Sequence, residues 1–325
     1  MRIFVTGATG VIGHRVVPTL CAAGHQVTAS GRNPERRAAL ERAGATVVSL
    51  DLFDRSAVHR AVAGHDVVIN LATHMPASAM RMMLPGAFRE NDRVRRDGSA
   101  NLVDAALAGG ATRFIQESFA PIYDDGGARW LDECAPVRTA RYNRTVLDAE
   151  RSAERFSVSG GVGIVLRFAW FYGADGRFMR DMLNMMRKGM APIPGRPDAY
   201  ASSISHDDAA SAAVAALGVP AGIYNVTDDE PLTRREYFTA LADAVGMRVP
   251  KPTPAWMTAM MGSLGELLAR SQRMSNRKLR ACGWTPRYRS VREGFRVVAE
   301  ALGAAGAEKY GTDPGGDPLC DDRSV

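Results

Sequence analysis

Three glycines near the start of the chain place the tightest constraint on its fold. Gly7, Gly10 and Gly13 follow the apolar run RIFVTG (2–7) and open the helix-like stretch GHRVVPTL. Gly7 lets the chain turn, Gly10 lets the backbone approach a pyrophosphate, and Gly13 lets the helix pack closely on the strand. The helix end then offers free N–H groups and a partial positive charge to phosphate. The motif therefore predicts a βαβ unit that binds a dinucleotide, and the alternative is a tight turn without a ligand.

The first half of the chain alternates short β-branched runs with alanine-rich helical patterns. Strands are predicted at 2–7, 26–30, 46–50, 66–72, 113–118 and 162–168, with helices at 12–23, 34–43, 55–63, 94–108 and 142–157. Nearly continuous apolar strands separated by helices are typical of a parallel sheet covered on both faces. The predicted fold is α/β, a Rossmann-type doubly wound parallel sheet.

The pattern changes after about residue 169, where turn-rich segments appear. A helix beginning at Thr233 and ending at Gly246 has an N-cap and a glycine C-cap. We predict a Rossmann domain from 1–168 plus about 198–227, and a smaller C-terminal α/β substrate lobe from about 169–197 plus 228–310. The Pro/Gly/Asp-rich tail, 311–325, has little to bury and is predicted to be disordered.

Composition excludes several classes of function. The net charge of +6 comes almost wholly from arginine, at helical spacings among Ala, Glu and Asp, which indicates a solvated surface and not a nucleic-acid interface. There is neither a run of eighteen apolar residues nor a signal-peptide pattern, so we expect no membrane association. Four scattered cysteines fit a reducing cytoplasm, the arginine and alanine bias suggests a bacterial source, and six histidines without ligand spacing predict no metal.

The spacing TGxxGxxG resembles that of the extended short-chain dehydrogenase/reductase family, which includes NAD-dependent epimerases and dehydratases. The segments VLRFAWFYG (165–173), ISHDDAASA (204–212), YNVTDDEPLTRRE (224–236) and CGWTPRYRSVREGF (282–295) continue the resemblance. It implies a nicotinamide nucleotide as cofactor. By resemblance the cofactor-binding residues are Gly7, Thr9, Gly10, Val11, Ile12, Gly13, Arg32, Asp51, Leu52, Leu71, Ala72 and Thr73.

The end of the second predicted strand bears on the choice of nucleotide. An NAD-preferring enzyme usually carries a carboxylate there to bind the ribose 2′-hydroxyl, and this chain has Gly31 followed by Arg32, Arg36 and Arg37. A guanidinium suits a 2′-phosphate, although an arginine run can also be a solvent-facing helix start. We therefore predict NADP(H), with NAD(H) less favoured.

The catalytic pattern of the family is incomplete here. By resemblance Tyr142 stands at the proton-exchanging tyrosine, but the lysine four residues on, which would lower the tyrosine pKa, is Val146. The upstream hydroxyl position is Phe119 with Ser118 one residue away, so either the loop shifts or the hydroxyl is lost. Glu117 is a further candidate acid, or a capping or ion-pairing residue. A phenol of ordinary pKa can donate a proton but is a poor base, which favours reduction.

Three methionine-rich stretches, 74–83, 178–190 and 254–274, match by resemblance the segments that line the substrate cleft. Each could equally be ordinary core, but together they favour a hydrophobic small-molecule substrate over a nucleotide-sugar. We predict an NADP(H)-dependent reductase of a carbonyl-type group, with Tyr142 as proton donor, Ser118 as oxygen anchor and Glu117 as auxiliary acid. The alternatives are a non-redox cyclase, isomerase or dehydratase, and a catalytically silent NADP(H)-sensing regulator. By resemblance a homodimer could form through helices 94–108 and 142–157.

Overall fold

A computed structural model describes residues 1–310 except 32, 77, 78, 83, 85, 141, 192–194 and 253. The strands are β1 (Arg2–Thr6), β2 (Gln26–Ser30), β3 (Thr46–Val48), β4 (Val67–Asn70), β5 (Arg113–Phe119), β6 (Trp130–Leu131), β7 (Val162–Phe168), β8 (Trp170–Tyr172), β9 (Tyr200–Ala201), β10 (Ser203–Ser205), β11 (Gly222–Val226), β12 (Leu232–Thr233) and β13 (Arg273–Met274). The predicted contribution of Arg32 and the predicted disordered tail, 311–325, lie outside these described residues.

The helices surround the strands and include one π-helical turn, Val94–Gly98. The α-helices are α1 (Gly13–Ala22), α2 (Pro34–Arg42), α3 (Arg55–Val62), α4 (Ala79–Met82), α5 (Arg89–Arg93), α6 (Ser99–Ala108), α7 (Val146–Val158), α8 (Arg177–Arg187), α9 (His206–Ala215), α10 (Arg234–Val245), α11 (Ala255–Met260), α12 (Gly262–Ala269), α13 (Arg277–Ala281) and α14 (Val291–Tyr310). Over the described part of the chain, no helix is both long and apolar enough to span a bilayer.

Seven strands form one sheet in the order β3-β2-β1-β4-β5-β7-β11, and every neighbouring pair is parallel. This is the Rossmann order with a seventh strand added beyond β7, so the predicted fold class is confirmed. The chain reverses its direction of travel across the sheet between β1 and β4. In open α/β sheets a ligand binds at such a switch point, outside the carboxyl ends of the strands. We call this side of the sheet the carboxyl edge.

Most predicted elements are present, and the largest difference lies before α7. The sequence predicts a helix from residue 142, but α7 begins at Val146 because residues 142–145 form turns. The side chain of Asn143 accepts a hydrogen bond from the Ala140 N–H at 2.7 Å, and the Asn143 carbonyl accepts one from the Val146 N–H at 3.0 Å. These bonds compete with a regular first turn. Tyr142 therefore lies on a turn and not one regular helical turn before Val146.

Apolar side chains form cores on both faces of the main sheet and a further core in the C-terminal part. That further core includes Met179, Met182, Met186, Tyr237 and Phe295, and its members lie in the ranges predicted for the substrate lobe. The three methionines are 1–3% exposed. For these positions in the 178–190 stretch the ordinary-core alternative is correct and the cleft-lining prediction is wrong, since the methionines fill space between α8, α10 and α14.

Candidate active site

The glycine loop between β1 and α1 is packed too closely to accept side chains at two of its three glycines. Gly7 has a φ of +66°, and a Cβ on it would lie 2.4 Å from the Leu71 carbonyl oxygen. A Cβ on Gly13 would lie 2.3 Å from the Gly7 carbonyl oxygen. The loop can therefore lie against the end of β4 and the start of α1 only because these residues are glycine.

Side chains of α1 donate hydrogen bonds to carbonyl groups of the loop, while some of the loop's N–H groups stay free. Arg15 Nη1 donates to the Val11 carbonyl at 2.8 Å, and His14 Nδ1 donates to the Gly10 carbonyl at 2.7 Å. Among the described residues, no backbone carbonyl accepts from the N–H of Val11 or Ile12. Free N–H groups at the start of α1 fit the pyrophosphate of a dinucleotide. Gly7, Gly10, Val11, Ile12 and Gly13 are thus brought together as the sequence predicts.

The end of β2 meets the same loop through Thr9. A Cβ on Gly31 would lie 2.3 Å from Thr9 Cγ2, so the absence of an acid at this position also matches the local packing. From the other side, Arg36 Nη1 donates to the Thr9 carbonyl at 2.5 Å. Among the described arginines of the 32–37 run, Arg36 therefore reaches the loop, beside the position where a 2′-phosphate would lie in the predicted binding mode.

The other predicted cofactor residues follow β3 and β4. Asp51 Oδ1 accepts from the Phe53 N–H at 3.0 Å, and the Leu52 carbonyl accepts from Asn101 Nδ2 at 2.8 Å. Leu71 is buried against Gly7, Ala72 is half-buried, and Thr73 is exposed at the carboxyl edge. Leu71, Ala72 and Thr73 therefore lie at the switch point, whereas Asp51 and Leu52 follow β3, where Leu52 contacts the π-helical turn at Gly98.

Ser118 lies in a buried network below the carboxyl edge. Its hydroxyl donates to Glu150 Oε1 at 2.5 Å, and Glu150 binds Arg167 through two further hydrogen bonds of 2.8 and 2.7 Å. Arg167 Nη1 also donates to the Tyr123 hydroxyl at 2.9 Å. Ser118 is 0% exposed. This placement is incompatible with the predicted role of Ser118 as oxygen anchor, because strand alternation turns its side chain towards α7.

Tyr142 is half-buried and packs against Phe88, with ring centroids 4.9 Å apart. Burial raises the pKa of the Tyr142 phenol above its ordinary value, and the positive charges of Arg95 and Arg270 offset only part of this rise. Val146 is fully buried, so the lysine position of the family is a core position here. Tyr142 can therefore donate a proton but cannot hold a negative charge near neutral pH.

A buried ion pair lies near Tyr142. Arg95 Nη2, from the π-helical turn, is 3.5 Å from Glu117 Oε1 at the end of β5, and both residues are less than a tenth exposed. Burial raises the pKa of the Glu117 carboxyl, and Arg95 offsets this only in part. Glu117 Oε2 has no hydrogen-bond partner. Glu117 is thus an ion-pairing residue, one of the two roles left open by the sequence, and its free oxygen also keeps the acid role open.

Aromatic side chains that sequence reasoning did not group together line the ends of β5 and β7. The rings of Phe119 and Trp170 meet edge to face at 5.3 Å, and Trp170 stacks on Phe178 at 6.1 Å. All three are partly exposed. One feature of the sequence could have indicated this aromatic surface. Phe119 stands at the position where the family usually has a hydroxyl, so a flat apolar ring replaces a polar anchor. An aromatic surface of this kind suits an aromatic or apolar ligand.

A parallel sheet of this order, with the glycine loop (Gly7–Gly13) at its switch point, defines a class of nucleotide-binding protein; we call this loop the nucleotide cradle. The chain matches the model of the NAD(P)H-binding family over residues 7–220. The chain belongs to that family, in its extended short-chain dehydrogenase/reductase, epimerase-like branch. The free N–H groups of Val11 and Ile12 and the cradle at Gly7 fit the cofactor of the family.

Similarities to known proteins extend over nearly the whole chain. A 3-diazoavenalumate denitrifying reductase from a Streptomyces species is 35% identical over 315 residues, which cover 91% of this chain and 99% of that protein. A human epimerase family protein with NADPH has a TM-score of 0.76 at 20% identity, covering 93% and 100% of the two chains. MoeE5, in complex with UDP-glucose and NAD, has a TM-score of 0.77 at 22% identity, covering 94% and 99%.

The two structural neighbours bear on the fold alone, and they hold different nucleotides. The family match and the reductase relative together identify a nicotinamide-nucleotide-dependent oxidoreductase.

Proposed function

We propose that this protein is an NADP(H)-dependent reductase of an aromatic small molecule, and that its acceptor group takes hydride without help from a base. The observation that carries the proposal is the contrast between an intact nucleotide cradle and a catalytic position lacking both lysine and anchoring hydroxyl. Val146 is fully buried, and Phe119 presents a ring where the hydroxyl would be. Oxidation of an alcohol needs a base at this point, and reduction does not.

The preference for NADPH rests on charge. Arg36 reaches the glycine loop at Thr9, and Gly31 leaves no carboxylate to repel a 2′-phosphate. A guanidinium forms strong charge-assisted hydrogen bonds with phosphate. Arg32, which the sequence predicts for the same role, lies outside the described residues.

The acceptor group is proposed by analogy with the Streptomyces relative, whose name denotes reduction of a diazo compound with loss of nitrogen. NADPH bound in the cradle would supply one hydride. Addition of hydride to the terminal nitrogen of an aryl diazonium group gives an aryl diazene. As N₂ leaves, the carbon–nitrogen and nitrogen–hydrogen bonds break, and the hydrogen moves from nitrogen to the ring carbon. The bonds formed and broken in these steps balance without a proton from the protein. This fits a site that lacks the lysine and the hydroxyl of the family pattern.

The substrate contacts in this proposal come from Phe119, Trp170 and Phe178, which offer a face for an aromatic ring. In this proposal Tyr142 also orients the substrate as a hydrogen-bond donor, since burial raises the pKa of its phenol and keeps it protonated. Burial raises the pKa of the Glu117 carboxyl as well, and Arg95 opposes this rise. Arg95 keeps Glu117 in place through the 3.5 Å contact.

The test is turnover of 3-diazoavenalumate with NADPH. We expect NADPH oxidation, release of N₂ and a product in which hydrogen replaces the diazo group, measured by mass spectrometry. Tyr142→Phe should keep most of this activity. If NADPH is not consumed with this compound or with other aryl diazo compounds, the diazo proposal is wrong.

A second candidate is reduction of a carbonyl group with Tyr142 as proton donor, favoured by the position of Tyr142 in the family pattern. A ketone receiving hydride becomes an alkoxide and needs a proton, so Tyr142→Phe should then lower kcat by about a hundredfold or more. The same variant thus separates the two acceptor groups. Tight NADPH binding without hydride transfer to any acceptor would favour the silent regulator, and conversion without net redox change would favour the cyclase, isomerase or dehydratase.

The homodimer through helices 94–108 and 142–157 stays a prediction, as does the cytoplasmic location. The corresponding helices α6 and α7 already contact each other within one chain, where Arg155 Nη1 donates to Asp104 Oδ1 at 2.7 Å. Sedimentation equilibrium of the purified protein would test the dimer, with a mass of about 35.0 kDa expected for a monomer.

A further inference from the structure

Two side chains of α1 hold the peptide groups that offer free donors in the nucleotide cradle. A carbonyl and the N–H that follows it along the chain belong to one planar peptide group. Arg15 Nη1 donates to the Val11 carbonyl at 2.8 Å, and the N–H of that group belongs to Ile12. His14 Nδ1 donates to the Gly10 carbonyl at 2.7 Å, and the N–H of that group belongs to Val11. His14 and Arg15 thus orient two N–H groups that have no backbone acceptor among the described residues.

The carboxylate of Asp175, in the turn before α8, is the anion that Arg15 and His14 share. It accepts from Arg15 Nη1 at 2.8 Å and from Arg15 Nη2 at 3.1 Å, and His14 Nε2 lies 3.5 Å from it. His206 Nδ1 donates to the same carboxylate at 2.9 Å, and Asp207 accepts from Arg15 Nε at 2.6 Å. Two parallel hydrogen bonds between a guanidinium and a carboxylate fix both distance and orientation. Arg15 therefore ties the nucleotide cradle to the turn that carries Asp175.

This turn is packed tightly against His206. A Cβ on Gly173 would lie 2.2 Å from His206 Nδ1, and a Cβ on Gly176 would lie 2.9 Å from His206 Cε1. The Gly176 N–H donates to the Gly173 carbonyl at 3.2 Å, which closes the turn. His206 itself is buried. Because closely packed groups transmit displacements to one another, the position of Asp175 sets the position of the first turn of α8.

The first turn of α8 carries one of the three rings of the aromatic surface, which is formed by Phe119, Trp170 and Phe178. Phe178 stacks on Trp170 with ring centroids 6.1 Å apart, and Trp170 meets Phe119 edge to face at 5.3 Å. A chain of contacts therefore runs from the pyrophosphate donors through Arg15 and Asp175 to this surface. The assignment of the surface to the substrate rests on the proposed function.

We propose that Asp175 is a positioning residue through which a bound pyrophosphate orders the start of α8 and, with it, the aromatic surface. A pyrophosphate that accepts from the N–H groups of Val11 and Ile12 polarises their peptide groups, and hydrogen bonds in a chain strengthen one another. The bonds from His14 and Arg15 to the two carbonyls become stronger, and Arg15 in turn fixes Asp175. By linkage, a ligand on the aromatic surface raises the affinity for the nucleotide by the same factor.

The test is amide hydrogen–deuterium exchange of the full-length protein, without ligand, with NADPH and with 2′-phospho-ADP-ribose. The last ligand carries the pyrophosphate but no nicotinamide, so it separates the proposed route from a direct contact of nicotinamide with α8. We expect either ligand to slow the exchange of α8 about fivefold or more, the factor of a coupling free energy at the low end of the usual range. If the protein prefers NAD(H), NADH and ADP-ribose are the corresponding pair.

Three variants locate the effect. Asp175→Asn should keep the protection of the nucleotide cradle by NADPH and lose that of α8, because an amide cannot accept both hydrogen bonds from Arg15. Arg15→Lys keeps the charge without the two-bond geometry and should also lose the protection of α8; it carries the test if Asp175→Asn does not fold. Asp198→Asn removes the same charge from a side chain that is 77% exposed, and should behave as the wild type.

The proposal is wrong if the nucleotide leaves the exchange of α8 unchanged in the wild-type protein, or if α8 is protected by NADPH but not by 2′-phospho-ADP-ribose. Equal protection of α8 in the wild type and in folded Asp175→Asn would contradict it as well. If both variants lose the protection of the cradle together with that of α8, Asp175 only supports nucleotide binding, and the proposal also falls.

These measurements need no turnover, so a failure of the proposed reductase function leaves their outcome unaffected. Once a substrate is established, Asp175→Asn should raise its KM about fivefold or more and keep kcat within about twofold, because Asp175 positions the aromatic surface and takes no part in hydride transfer. A lowered kcat with unchanged KM would contradict a positioning role at this surface.

Discussion

Ser118 donates its hydroxyl hydrogen to Glu150 at 2.5 Å, inside the interface between β5 and α7. The same carboxylate holds Arg167 in a two-bond pair, and all three side chains are buried. Phe114, on the same face of β5 as Ser118, packs against Phe156 of α7 with ring centroids 5.7 Å apart. The serine nearest to the catalytic position of the family thus belongs to the packing of a helix on the sheet.

Ser118→Ala should therefore affect stability and not chemistry. We expect the free energy of unfolding to fall by about 1–3 kcal/mol, because a buried hydrogen bond to a charged group is lost. The turnover number should stay within about twofold. Urea denaturation and steady-state kinetics measure the two quantities, and Ser159→Ala, at the exposed end of α7, is the control. A kcat lowered a hundredfold with stability unchanged would restore Ser118 as a catalytic group.

Arg36→Ala should weaken NADPH binding about tenfold and leave NADH binding nearly unchanged. The guanidinium lies against the glycine loop at Thr9, where it can reach a 2′-phosphate but has no such partner on NADH. Calorimetric titration with each nucleotide measures the difference. Arg42→Ala is the matched control, since Arg42 is exposed in the last turn of the same helix. Equal losses for both nucleotides would show that Arg36 only supports the loop.

Gly31→Asp should lower NADPH affinity without creating good NADH binding, because its Cβ would lie 2.3 Å from Thr9 Cγ2. The double variant Thr9→Ala/Gly31→Asp removes that methyl group and leaves Thr9 Cβ, 3.3 Å from the new Cβ, as the nearest side-chain atom. We expect this double variant to prefer NADH, since the carboxylate can accept from the ribose 2′-hydroxyl and repels a 2′-phosphate. Nucleotide titrations of Thr9→Ala alone provide the control. A double variant that still prefers NADPH contradicts the assignment of Gly31.

Asp175 should make the stability depend on pH in the acid range. Burial alone would raise the pKa of Asp175, but hydrogen bonds from His206 at 2.9 Å and Arg15 at 2.8 Å outweigh it and hold the pKa well below its ordinary value. A depressed pKa in the folded state stabilises the protein above the unfolded pKa of about 4, and this contribution is lost as pH falls below it.

The free energy of unfolding of the wild type minus that of Asp175→Asn should thus be positive at about pH 5. It should shrink progressively below about pH 4. Denaturant titrations across this range measure the difference, with Asp198→Asn as control because that side chain is 77% exposed. A difference that grows as the pH falls would contradict the sign of the shift.

The local pattern of the sequence was enough to predict the strands and helices that position the site. Strands at 26–30 and 162–168 were predicted at their observed bounds, and the helix between Thr233 and Gly246 has the predicted N-cap and left-handed C-cap. The glycine loop, the missing lysine at Val146 and the missing acid at Gly31 could all be read from residue identity. These features depend on backbone geometry and short-range periodicity, which neighbouring residues largely specify.

Only the tertiary structure decided which side chains meet. Ser118 and Phe119 are adjacent in sequence, yet strand alternation buries the first against α7 and leaves the second partly exposed beside Trp170. Met179, Met182 and Met186 fill a core, although their composition could equally suit a cleft. The contact of Arg95 with Glu117 joins two residues that lie 22 positions apart along the chain. The sequence by itself determined a nucleotide-binding βαβ fold without the usual base. Tertiary packing determined which buried charges pair with each other, because ion pairing depends on distances in space that no local sequence pattern encodes.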